Sequence, residues 1–197
     1  GLHSGSNKPS AQLARSIMWY SRQNKGGNKR TYFTASNGLS YPVDILNEYL
    51  PFKRLEAIRR VSSGAMVSLE KAQLLVEEFM KEKFSWIKVA GTIKIDNTFS
   101  FGGITMDMTE IEDKCLPLSM HINRSEAARK VMDKCKVSFK DAEAFINAYS
   151  EQEVRGDIYY VDDAGNRLPD DAEKKIEDAE NKKNGIIGFI IMAVIML

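Results

Sequence analysis

The most regular apolar spacing in the chain runs from residue 69 to residue 83. Leu69, Ala72, Leu75, Val76, Phe79 and Met80 recur at helical intervals, and Ser68 stands before them as an N-cap. A helix is predicted there. The same spacing predicts helices over 11–22, 124–136 (capped by Asn123) and 139–151 (capped by Ser138, with Asp141 completing a capping box). Shorter helices are expected over 43–49, behind Pro42, and over 52–61, closed by Ser62-Ser63-Gly64. A charged helix is expected over 169–180.

Between Phe84 and Met108 the period changes to alternation. Ile93 and Ile95, then Phe99, Phe101, Ile104 and Met106, read as a β-hairpin turning at Asp96-Asn97, with a second turn or bulge at Gly102-Gly103. Short strands are added over 31–35, 118–122 and 158–161, the last followed by a turn over 162–166. These elements predict an α+β fold, a small antiparallel sheet packed with several helices. No internal repeat is evident. The predicted division is an arm over 1–42, a core over 43–184 and an apolar run over 185–197.

Charge changes this picture at both ends. The formal net charge is only +1, but residues 1–43 carry Lys8, Arg15, Arg22, Lys25, Lys29 and Arg30 and no acid. Residues 151–183 carry eleven acids against six bases. A basic start and an acidic end suggest an anionic partner or head-to-tail contact between copies. Aromatic rings stand among the arm's cations, so Arg15, Trp19, Tyr20, Arg22, Lys25, Lys29 and Arg30 are the expected polyanion-binding set. Cations meet phosphates and rings stack on bases. The same cations suit anionic lipid headgroups.

Residues 185–197 (GIIGFIIMAVIML) carry no charge. Thirteen residues fall short of the ~20 that a spanning helix needs. Ile186, Ile187, Phe189 and Ile190 are therefore expected to meet a membrane surface, a neighbouring subunit or a buried core.

Candidate chemistry is sparse. P-loop, GxGxxG, HExxH and GxSxG patterns are missing. His121 is read as an ordinary strand residue, and Cys115 and Cys135 as reduced structural thiols, which favours an intracellular setting. Asp107, Glu110, Glu112 and Asp113 form an acidic group that is either a solvated loop or a hard-cation site. Tyr160-Val161-Asp162-Asp163 matches the reverse-transcriptase string YxDD over four residues, and also reads as a plain turn. Arg155-Gly156-Asp157 and the sequon at Asn123 are short enough to arise by chance.

The expectation is a non-enzymatic structural or assembly protein without a cofactor. It would be matrix- or capsid-like as in viruses, self-associating, and bound to RNA or an anionic membrane. It would be intracellular, membrane-associated or in a virion. The alternatives are the cytosolic domain of a membrane-anchored accessory protein and a small divalent-metal enzyme.

Overall fold

A computed structural model describes residues 30–87, 89, 91–152 and 156–179. The fold is α+β. Its order is β1 (Tyr32–Thr34), β2 (Ser40–Pro42), α1 (Val43–Tyr49), α2 (Arg54–Ala65), α3 (Leu69–Lys83), β3 (Thr92–Asp96), β4 (Thr98–Phe101), β5 (Ile104–Asp107), α4 (Thr109–Cys115), α5 (His121–Cys135), α6 (Phe139–Ser150) and β6 (Asp157–Val161). A last helix, α7, covers 172–179.

The β-structure is three separate antiparallel ribbons, β1–β2, β4–β5 and β3–β6. Gly102 and Gly103, both at positive φ, make the two-residue turn between β4 and β5. The expected turn at Asp96-Asn97 does not fold β3 onto β4. The Asp96 carboxylate instead accepts the Thr98 N–H at 3.0 Å, and β3 pairs with the distant β6. That pairing has no local signal, because its partner lies some sixty residues away.

Two buried cores result. The first joins β1–β2, α1–α3, the β3–β6 ribbon and α7, with Tyr41, Leu46, Ile58, Leu75 and Phe79 at its centre. The second joins β4–β5 and α4–α6 around Met108, Ile111, Phe145 and Tyr149. Pairing and packing thus take residues 32–42 of the expected arm into the first core, where Tyr41 is buried.

The two cores are built by the same succession of elements, which corrects the expectation of no repeat. Each has a β-hairpin, a seven-residue helix and a Leu–Pro pair (Leu50-Pro51, Leu116-Pro117, both cis). A longer helix follows, then one left-handed residue (Met66, Lys136) and a serine-capped helix. A strand closes each module (β3, β6). The sequence repeats with the structure. Glu56, Ala57, Arg59, Val61, Val67, Ser68 and Ala72 recur seventy residues later as Glu126, Ala127, Arg129, Val131, Val137, Ser138 and Ala142. The hairpin loops differ in length, and four extra residues separate Pro117 from Glu126, so no single period spans the modules.

Three local expectations fail for identifiable reasons. Helix α2 runs through Ser62-Ser63-Gly64, because Gly64 is a steric need. A Cβ there would lie 2.5 Å from Tyr41 Oη, which donates to the Arg60 carbonyl at 3.1 Å. The expected strand 118–122 is a loop running into α5, where Leu118 is buried and His121 is an exposed first-turn residue. Asn123 is not the cap. It sits inside that turn, buried, and donates to the Pro117 carbonyl at 3.1 Å.

Candidate functional site: the cleft between the modules

The modules meet where the α2–α3 turn faces α4. Asp113 accepts the Ser68 N–H at 3.3 Å and pairs with Lys71 at 3.6 Å, while Thr109 Oγ1 donates to Glu70 at 2.9 Å. Beside this seam lies an open cleft of about 640 Å³. Met66, Val67 and Leu69 from the first module, with Leu116 and Pro117 from the second, make its apolar wall. Arg59 and Arg60, exposed on α2, stand on its lining, and neither joins an ion pair among the described residues. Apolar walls with a few polar groups are the usual make-up of a ligand site.

Glu112 reaches the same cleft although it is 2% exposed. Its carboxylate accepts the Tyr149 hydroxyl and, at 2.8 Å, the Asn97 Nδ2. Asn97 is 4% exposed, and its Oδ1 has no donor among the described residues. A Cβ on Gly156, which lines the cleft at φ +74°, would sit 2.6 Å from that oxygen and 2.7 Å from Leu69 Cδ1.

The expected acidic group is therefore dispersed along a helix and its entry, not gathered in a loop. Asp107 accepts the Thr109 N–H at 2.8 Å, Glu112 is buried, and Asp113 faces the first module. Among the described residues no cluster of His, Cys, Asp and Glu could hold a metal ion. Glu110 instead gathers Lys114, Lys134 and Lys130, at 2.9, 3.2 and 3.7 Å. Its hydrogen bonds with Lys114 and Lys134 hold the carboxyl down from an ordinary 4.5 to about 2. The folded group has the lower pKa, so its contribution to stability is present above about pH 4.5 and is lost as pH falls through about 2. Glu110→Gln is accordingly expected to be less stable than the parent at pH 7. Denaturant midpoints should converge near pH 2, and 1 M salt should narrow the gap at pH 7.

Of the residues expected to bind a polyanion, Arg15, Trp19, Tyr20, Arg22, Lys25 and Lys29 lie outside the described residues, as do Ile186, Ile187, Phe189 and Ile190. Arg30 is described and pairs with Asp44 at 3.3 Å. Arg54, a further cation beyond the arm, is buried. Its guanidinium lies 5.1 Å over the Tyr160 ring and donates to the Gly91 carbonyl at 3.2 Å. In the YxDD string Tyr160 is buried, and Asp162 accepts the N–H groups of Ala164 and Asn166 at 2.9 and 2.8 Å. This is the turn reading, and these bonds lower the Asp162 pKa, Asn166 foremost. Cys115 is buried and Cys135 half-buried, and neither is in a disulfide.

Sequence reasoning set Glu112 among solvated acids and missed Asn97 and Tyr149. The cue was available in the repeat, where Glu112 stands at the place of Leu46 and Tyr149 at that of Phe79. No protein-family model, curated protein or solved structure matches this chain.

Proposed function

We propose that the chain is a non-enzymatic binding and assembly protein that engages a polyanion through its N-terminal arm. The observation that carries this reading is the run of six cations without an acid over residues 1–43. Five of them lie before residue 30, and Arg30, at the first described residue, is the one drawn into an ion pair with Asp44. Support comes from the second module, where three lysines share the single Glu110 carboxylate and leave a local surplus of positive charge. RNA is the favoured polyanion, because Trp19 and Tyr20 stand among the cations, and rings add stacking that lipid headgroups do not use. Self-association in a matrix- or capsid-like layer remains part of this proposal.

The uncharged run 185–197 favours a second reading, a domain held at a membrane surface.

The test is binding of labelled single-stranded RNA by the full chain across a salt series. Five arm cations meeting phosphates would give a slope of log affinity on log salt of about −3.5. Deleting residues 1–29 should remove most of that slope. Salt-insensitive binding, or none, would overturn the RNA reading. Flotation with anionic vesicles that is lost on deleting residues 185–197 would transfer the assignment to the membrane.

A further inference from the structure

The seam between the modules joins unlike parts. The first module gives its α2–α3 turn, where Ser68 is buried and Leu69 is 4% exposed. The second gives α4, whose Asp113 accepts the Ser68 N–H at 3.3 Å and pairs with Lys71 at 3.6 Å, while Thr109 donates to Glu70 at 2.9 Å. The repeat puts Ser138, Phe139, Lys140 and Asp141 at the places of Ser68, Leu69, Glu70 and Lys71. It likewise puts Val43 and Asn47 of α1 at those of Thr109 and Asp113. The reciprocal contact is not made among the described residues. Ser138, Phe139 and Lys140 are exposed, Phe139 to 40%, and so are Asp44, Asn47 and Glu48.

A contact between unlike surfaces leaves one unmatched half at each end of a pair, and a second copy supplies what each end lacks. The chemistry of the two halves agrees. Leu69 shares the apolar wall of the cleft with Leu116 and Pro117, and Phe139 brings a larger apolar side chain to the same place. Asn47 offers its side-chain oxygen to the Ser138 N–H, as Asp113 does for Ser68. Its amide donates to Asp141, which stands where Lys71 stands in the seam, so donor and acceptor have changed sides together. Asp141 accepts the Ser138 hydroxyl at 2.6 Å through Oδ2, and its Oδ1 takes the amide hydrogen. Charge agrees as well. The turn carries exposed Lys136 and Lys140 beside the acids Asp133 and Asp141, and α1 presents Glu48 and Asp44, the latter paired with Arg30 at 3.3 Å. Opposite charges across a contact fix its register and discourage wrong partners.

We infer that the α5–α6 turn of one copy docks on α1 of the next, repeating between chains the contact that joins the two modules within one. Such a head-to-tail contact closes into a ring or runs on as a filament. The inference rests on the self-association within the proposed function and names its two surfaces. Polyanion binding by the arm is independent of it.

Sedimentation velocity on the nuclease-treated full chain, over a concentration series, tests the contact. The parent is expected to grow beyond a dimer. Phe139→Glu sets an acid against Asp44 and Glu48, and Asn47→Arg sets a cation against Lys136 and Lys140. Each should weaken self-association by about tenfold or more, as the loss of a central interface residue does. Both positions are exposed, so far-ultraviolet dichroism should be unchanged. An equal mixture of the two variants should form a one-to-one complex that grows no further, because the pair retains one intact turn and one intact α1. A monomeric parent overturns the inference together with the self-association it rests on. Variants that associate as the parent does, or a mixture that stays monomeric, overturn the inference alone. Should either variant misfold, the double variant Asn47→Cys with Ser138→Cys decides. Mild oxidation is expected to join position 47 of one chain to position 138 of another, and no such cross-link in the peptide map overturns the contact.

Discussion

Glu112→Ala lowers the unfolding free energy by about 2–6 kcal/mol, about 1–3 kcal/mol for each of the two buried neutral groups that lose their acceptor. Both companions are fixed in place. Tyr149 is buried among Phe145, Ile146 and Met108, and Asn97 is held between β3 and β4. Without the carboxylate, the tyrosine hydroxyl and the asparagine amide each lose a hydrogen bond in a buried place. The counterpart experiment installs the first module's residues at two places, Glu112→Leu and Tyr149→Phe, together with Asn97→Val. That triple variant is expected to return to within about 1 kcal/mol of the parent or to exceed it, because apolar replacement of a whole buried polar set is often neutral or stabilising. Urea denaturation measures both. A single variant within 1 kcal/mol of the parent would show that the trio is not tightly coupled. A triple variant as unstable as the single would show that the modules are not interchangeable there.

Phe145→Ala is expected to cost about 3–5 kcal/mol and to lower the melting temperature by about 10 °C. Phe145 is fully buried, and its ring centroid lies 4.9 Å from that of Phe99, which is itself 5.1 Å from Tyr149. Truncation therefore opens a cavity at the centre of the second core. The damage should reach the first core as well. Strand β6 follows the second module in the chain, yet Ile158 and Tyr160 are packed in the first core and β6 is hydrogen-bonded to β3. Trp86, 6.4 Å from Phe84 on the edge of the first core, reports on that side. Tryptophan fluorescence and far-ultraviolet dichroism should trace one coincident transition in both parent and variant. Two separated transitions, with fluorescence unaffected by the substitution, would show that the modules unfold independently.

The helices were legible where a strong cap met a clear apolar stripe. Helix α3 begins and ends as the spacing of Leu69, Ala72, Leu75, Val76, Phe79 and Met80 predicts, and Ser68 caps it through the Lys71 N–H. Helix α6 follows Ser138 in the same way. Both signals are local and need no knowledge of the rest of the chain. Helix α2 was cut short because Gly64 looks like punctuation, when it is a space kept for Tyr41 from another element. The strand order was illegible for a related reason. Asp96-Asn97 is a good turn sequence, but a turn does not choose a partner strand, and β3 buries Ile93 only by pairing with β6.

By itself the sequence determined the α+β class, the caps and faces of α3 and α6, the glycine turn of β4–β5 and the uneven distribution of charge. Each depends on residues within a few positions of one another. Tertiary structure decided which strands pair, that the chain holds two cores of matching construction, and that Glu112 leaves the acidic group around it for the interior. Those outcomes depend on contacts between residues far apart in the chain. Glu112 reads as a surface acid beside Glu110 and Asp113, and is a buried one in a setting where Asn97 and Tyr149, fifteen and thirty-seven residues away, donate hydrogen bonds to it.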